Sequence, residues 1–216
     1  ESALHEKINF KKIPQNDIKI GYYPSIFGVD LRLSGSDGAK LKRAQSTIID
    51  NIKDYIYTIG EDSIENIVVN RMINKNLTIS FAESCTGGLL GHRITQVGGS
   101  SKVFKGGVVV YSNEAKVDQL KISQKLLDEF GAVSQEVALE MARNVKDVFS
   151  SDIGVSVTGI AGPGGGTDDK PVGLVYVGYS DSKALDTYQF NFHSNRHTNK
   201  IRTSQSVFNQ ILKNIN

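Results

Sequence analysis

Leu77-Thr78-Ile79-Ser80-Phe81-Ala82-Glu83-Ser84-Cys85-Thr86-Gly87-Gly88-Leu89-Leu90 is the stretch that decides the fold. An apolar run, Leu77–Glu83, gives way to small polar residues and two glycines, and apolar residues resume at Leu89. That order reads as a buried strand, a tight turn and a helix over Leu89–Thr95. Three more apolar strand candidates follow, at Gly107–Tyr111, Ile153–Thr158 and Leu174–Tyr179. Helical stretches at Ser123–Phe130 and Ser134–Phe149 separate the second of the four strands from the third. Ala184–Phe192 alternates through Leu185, Thr187 and Phe190 just after the fourth strand, the pattern of an antiparallel hairpin. The chain ends in an amphipathic helix from about Thr198, through Ile201, Val207, Phe208, Ile211 and Leu212. Upstream, Asp62 or Ser63 can cap a helix reaching Asn74, with Ile64, Ile67, Val68 and Met72 inward. Strands alternating with helices predict an α/β fold over residues 61–216. Its expected form is a three-layer α/β/α arrangement around a mixed, largely parallel sheet.

Before Glu61 the pattern differs. Ile18, Ile20 and Tyr22 alternate within Asp17–Tyr22, and Val29, Leu31 and Leu33 do the same, so both segments read as strands. Pro24, Gly28 and Ser34–Gly38 read as turns between and after them. Leu41, Ala44, Ile48, Ile52, Tyr55 and Ile59 then recur at helical spacing, with Gly60 as a stop signal. Residues 1–60 are therefore expected to form a small β-β-α domain. The 25 basic and 23 acidic residues are spread along the chain and leave a net charge of +2. There is no basic stripe with interleaved aromatics, so nucleic acid is not an expected partner. No apolar run approaches the ~20 residues of a membrane helix, so no membrane association is expected. One cysteine, Cys85, excludes an internal disulfide and fits a reducing, cytoplasmic setting.

Three strand ends carry the chemistry. At Ser84–Gly88 small polar residues sit where open α/β sheets place ligands, and backbone N–H groups at the following helix start attract anions. Ser84 is a candidate nucleophile with oxyanion donors nearby. The alternative is an ordinary cap with Thr86 at the N-cap. At Tyr111-Ser112-Asn113-Glu114-Ala115-Lys116, a lysine desolvated or close to another cation can serve as a general base for Ser84. Taken alone, Lys116 reads as a solvated helix residue, as most lysines are. At Thr158–Gly166, a glycine-dense loop opens that can wrap a phosphate with backbone N–H groups, or simply connect two elements. It matches neither a P-loop nor a dinucleotide fingerprint. His92 lies eight positions past Ser84 with no evident orienting carboxylate. His193 and His197 lack a third ligand, so no metal site is expected. Cys85 reads as packing rather than as a nucleophile.

Together these segments resemble one family. Ala82–Gly88, Gly98-Gly99-Ser100-Ser101, Gly106–Lys116, Gly131-Ala132-Val133-Ser134, Thr158–Gly166 and Lys170–Gly173 occur in the order seen in CinA C-terminal domains. Lys19–Pro24 and Gly28–Leu33 resemble the small middle domain of full-length CinA proteins. In that family a further amino-terminal domain precedes, so the chain is expected to be a two-domain piece of a longer protein. The resemblance implies a cofactor-free amidohydrolase that converts nicotinamide mononucleotide to nicotinate mononucleotide and ammonia by a Ser-Lys dyad. Ser84 maps to the nucleophile and Lys116 to the base, with Tyr111 beside them. Thr86, Gly87, Gly88, Asn113, Thr158, Gly159, Gly162, Gly165 and Arg196 map to the substrate surroundings. The family's Gly-Asp-Arg element reads Ser194-Asn195-Arg196 here, followed by Lys200 and Arg202. The expected partners are the small nucleotide substrate and a second copy of the chain in a homodimer. The competing expectation is a catalytically silent nucleotide-binding module within a larger pyrophosphatase.

Overall fold

The alternation at Ile18, Ile20 and Tyr22 and at Val29, Leu31 and Leu33 becomes an antiparallel hairpin in the computed structural model, which describes residues 2–10, 13 and 17–215. Its strands are β1 (Lys19–Ser25) and β2 (Gly28–Ser34), with Tyr22 opposite Leu31 and Ile20 opposite Leu33. Those four side chains share one face and pack on Ile8, Ile13, Ile18, Ala44, Ile48 and Ile52. Pro24 pairs with Val29 inside β1 and is not a turn residue. A two-stranded sheet has only edges, and an edge tolerates a proline that donates nothing to the ladder. The helix α2 (Gly38–Ile52) ends earlier than its apolar period suggests. Tyr55 and Ile59 continue the spacing but stand exposed beyond it, Tyr55 as the last residue of a short 3-10 turn at Lys53–Tyr55 and Ile59 after that turn. A six-residue helix, α1 (Ser2–Lys7), was not expected, because so short a segment carries no sustained period. The chain divides into two compact units, residues 1–61 and 62–216.

The second unit is an α/β fold. Its elements are α3 (Ile64–Lys75), β3 (Ile79–Glu83), α4 (Leu89–Thr95), β4 (Phe104–Val109), α5 (Asn113–Leu120), α6 (Gln124–Phe130), α7 (Gln135–Phe149), β5 (Ile153–Gly159), β6 (Leu174–Ser180), β7 (Leu185–Asn191) and α8 (Arg196–Asn214). The sheet order is β4-β3-β5-β6-β7. β4, β3 and β5 run parallel, and β6 and β7 add antiparallel pairings, so only β6 opposes the rest. Strand alternation gives the sheet two faces. Ser80 of β3 donates to Val145 O on α7, and Ala82 packs with Val137 and Met141 of the same helix. Phe81 points the other way and meets Phe208 of α8 edge-on, ring centres 6.3 Å apart. Helices α5–α7 thus cover one face, and α3, α4 and α8 the other. Among the described residues no helix is long and apolar enough to cross a membrane.

β4 begins three residues before and ends two residues before the expected strand Gly107–Tyr111. It is an edge strand, so Lys105, Gly106 and Gly107 can belong to it without a continuous hydrophobic signal. Val110 N still donates to Glu83 O, after which Ser112 caps α5 and takes Tyr111 out of the sheet. α8 starts at Arg196 rather than Thr198, because the Asn195 side chain accepts from Thr198 N as its N-cap. The helix between β3 and β4 lies on one face of the sheet and the helices between β4 and β5 on the other. The carboxyl ends of β3 and β4 therefore flank the point where the connections diverge, the place where such sheets bind ligands.

Candidate active site

Two helix-turn features bring Ser84 and Lys116 together at that point. Gly87 and Gly88 adopt φ of 63° and 91°, a left-handed region costly for residues with a Cβ, and this lets β3 fold back sharply into α4. Ser84 stands at the strand end with its N–H donated to Val157 O on β5 at 2.9 Å. Lys116 lies in the first turn of α5, whose N-cap Ser112 accepts from Ala115 N. Helical side chains lean toward the helix N-terminus, so the long lysine stem reaches back over that turn to the end of β4. Its Nζ lies 3.0 Å from Val110 O and 3.4 Å from both Tyr111 O and Ser112 O. The fourth neighbour is Ser84 Oγ at 3.3 Å, to which the ammonium form donates.

Both side chains are buried, Lys116 1% exposed and Ser84 7%. Among the described residues no carboxylate lies within ion-pair distance of Lys116. Burial lowers its pKa from the ordinary 10.5, opposed in part by the charge of Glu114. The solvated-helix reading of Lys116 is thereby overturned. Loss of its proton leaves two N–H groups for the carbonyls and a lone pair able to accept the Ser84 hydroxyl proton. Cys85 goes the other way: burial pushes its thiol up to about 12, so it is not a thiolate near neutral pH.

The other candidate residues divide into groups. Arg196 Nη1 donates to Gly162 O at 2.7 Å and Nη2 to the Tyr111 hydroxyl at 2.8 Å. Arg196 therefore joins the glycine-rich loop to the segment that carries Lys116, and Tyr111 is 60% exposed beside it. Lys200, one helical turn on, points its Nζ toward Gly87. Among the described residues neither Arg196 nor Lys200 has a carboxylate partner. Asn113 is exposed at the start of α5, and Gly165 is exposed in the loop. Gly159 closes β5 against β6, where a Cβ would stand 2.7 Å from Leu174 O. Thr158 donates its hydroxyl to Ala132 O at 2.7 Å and is 1% exposed, so that group is spent inside the fold. Thr86 does not cap α4, since the N-cap is Gly88 and makes no side-chain bond. Its Oγ1 is buried without a partner among the described residues. The N–H groups of Leu90 and Gly91 at the start of α4 are not free for an anion, because both donate to the Glu83 carboxylate. Among the described residues no three His, Cys, Asp or Glu cluster closely enough to hold a metal ion.

Residues 61–215 match the CinA C-terminal domain. The chain belongs to the CinA family. A CinA-like protein of Salinibacter ruber is 41% identical over 206 residues, 93% of this chain and 50% of that protein. A CinA-like protein of Chlorobaculum tepidum is 42% identical over 204 residues, 89% of this chain and 48% of that protein. The chain spans about half the length of the curated relatives it matches. Among solved structures, the competence/damage inducible protein CihA of Agrobacterium tumefaciens superposes with a TM-score of 0.66 at 34% identity, covering 73% of this chain and 99% of that one. A CinA superfamily protein of Escherichia coli gives 0.67 at 30% identity, covering 76% and 98%. The CinA resemblance and the three-layer fold read from the alternation of strands and helices agree with these similarities.

Proposed function

We propose that the second unit of this CinA chain hydrolyses the carboxamide of nicotinamide mononucleotide to nicotinate mononucleotide and ammonia. The observation that carries the reading is the buried Lys116 Nζ, 3.3 Å from Ser84 Oγ and surrounded by neutral carbonyl oxygens. A serine hydroxyl needs a base to attack an amide, and a lysine is a base only where its charged form is disfavoured. Lys116 meets that condition by burial. The substrate itself follows from the CinA resemblance.

In this mechanism Ser84 Oγ attacks the carboxamide carbon while its proton passes to the Lys116 amine. The negative oxygen of the tetrahedral intermediate is met by backbone donors of the turn. Ser84 N is committed to Val157 O and Gly87 N to Ser84 O, so the donors of the turn that remain for that task are the amides of Cys85, Thr86 and Gly88. The Lys116 ammonium, steadied by the carbonyls of Val110, Tyr111 and Ser112, then protonates the departing nitrogen and ammonia leaves. Water attacks the acyl-serine and gives a proton to Lys116, which passes it to Ser84 Oγ as the acyl–Oγ bond breaks, so that the carboxylate product leaves and the free serine and neutral lysine are restored. Incubation of the chain with nicotinamide mononucleotide should release one ammonia per nicotinate mononucleotide formed. Binding of the mononucleotide without ammonia release would favour the silent nucleotide-binding module instead.

Every candidate group lies beyond Phe81, and each unit encloses its own buried core. A chain starting at Asp62 is therefore expected to fold and to keep kcat within about two-fold, roughly 0.4 kcal/mol. Circular dichroism with the ammonia assay checks this. A folded but inactive product would assign part of the site to residues 1–61.

A further inference from the structure

We propose that Glu83, the residue before Ser84, is a positioning residue that fixes the nucleophile's turn through its side chain; this rests on the Ser84–Lys116 reading above. Glu83 is 3% exposed, and among the described residues it has no cationic partner. Its Oε2 accepts from Leu90 N at 3.1 Å and its Oε1 from Gly91 N at 2.9 Å. These are donors of the first turn of α4, which the chain's own N-cap, Gly88, leaves uncapped by any side chain. A carboxyl group from the preceding strand thus does the work of a cap, and it does so across the turn that carries Ser84.

The consequence for Ser84 is geometric. Between Glu83 and Leu90 the backbone passes through two consecutive left-handed glycines, the most permissive residues available. Backbone bonds hold the near side of the turn, Ser84 N to Val157 O and Gly87 N to Ser84 O. The Glu83 carboxyl group links the strand end directly to the helix start and closes the segment into a ring. Glu83 O also accepts from Val110 N, so the same residue holds β3 to the strand end whose carbonyl faces Lys116 Nζ. The Ser84–Lys116 separation of 3.3 Å is already at the long end of a hydrogen bond, so a small drift of the turn breaks it. Misplacement by about 1 Å costs on the order of a hundred-fold in rate.

Two substitutions separate positioning from charge. Glu83→Gln keeps the length but turns one oxygen into an NH2 group facing a backbone N–H. Glu83→Asp keeps both oxygens but withdraws them by roughly 1.5 Å, one C–C bond. Two readouts are needed: steady-state kinetics with nicotinamide mononucleotide, and the rate at which an alkyl fluorophosphonate labels Ser84. In labelling, Ser84 Oγ bonds to phosphorus, fluoride leaves, and the hydroxyl proton goes to Lys116. Both variants, assayed below their melting temperatures, should lose roughly 30- to 100-fold in kcat and in labelling rate, with KM changed less than about three-fold. Labelling and turnover within about three-fold of wild type in either folded variant overturns the proposal. If both variants unfold, Glu83 serves stability alone, which also overturns it. Wild type that is labelled at Ser84 but releases no ammonia defeats the deamidase reading, and the labelling rates then decide Glu83 by themselves. Wild type that is not labelled removes Ser84 as nucleophile and this proposal with it.

Discussion

Ser84→Ala and Lys116→Ala are each expected to lower kcat by roughly a thousand-fold or more, and the double substitution to be little worse than either. In the proposed mechanism the two groups act in one step, so removing either leaves the other without a task. Non-additivity is the signature of that dependence, and two independent contributors would instead multiply their losses. Lys116→Ala also leaves a cavity and uncovers the carbonyl of Val110, which the lysine now satisfies at 3.0 Å. Lys116→Met fills most of that volume and is the better control for folding. The pH dependence gives a second handle. Burial lowers the Lys116 pKa, so the base-limb of kcat/KM should rise with pH around a midpoint below 10.5 and disappear in the methionine variant. Stability should follow the same titration with a defined sign. Between the lowered folded pKa and the ordinary unfolded one, the unfolded chain binds more protons, so wild-type stability rises with pH across that window. Lys116→Met lacks this rise, and its melting temperature should fall relative to wild type as pH increases. If Lys116→Ala keeps more than about a tenth of wild-type kcat, a loss under about 1.4 kcal/mol, another group is the base.

The parts of this molecule that were legible in the sequence are those where local chemistry and tertiary placement agree. Leu89–Thr95 was read to the residue because the two glycines before it and the apolar run before them leave little freedom. The helices after Ser123 and Ser134 were read because each serine accepts from the N3 amide as its spacing implies. Ser84 and Lys116 were visible as strand-end residues, but their contact was not. It depends on the lysine stem leaning back over the first turn of α5, and that helix was missing from the strand-and-helix reading. Its eight residues have little apolar period, and only the Ser112 cap signals it. The edge strand β4 was displaced for a related reason, since half of its residues face solvent and carry no hydrophobic mark. Glu83 was missed as anything but a strand residue. A carboxyl group that caps a helix seven residues away, across a turn, has no spacing rule that would flag it. The spent hydroxyl of Thr158 was equally invisible, because only the placement of Ala132 O decides where it points.

Arg196→Ala should raise KM for nicotinamide mononucleotide by roughly 10- to 100-fold while leaving KM for the phosphate-free riboside within about three-fold. The guanidinium is held by two neutral acceptors, Gly162 O and the Tyr111 hydroxyl, and by no carboxylate among the described residues. A phosphate offers charged oxygens in place of neutral ones, and a hydrogen bond to a charged group contributes about 1.5–3 kcal/mol, which sets the range given. Lys200 lies one turn further along α8, with its Nζ directed to Gly87 of the nucleophile turn, so the two cations flank the ligand's approach. The riboside control is what makes the result specific. Arg196 also ties the loop at Gly162 to Tyr111, and loss of that tie alone would disturb every substrate alike. Tyr111→Phe removes the phenolic acceptor and leaves Arg196 its full charge, so it should change the KM for the mononucleotide far less than Arg196→Ala does. Arg196→Lys keeps a charge but loses the fork, and should fall between alanine and wild type. Equal losses with mononucleotide and riboside would show that Arg196 supports the loop rather than the phosphate, and the anion would then have to be sought at Lys200.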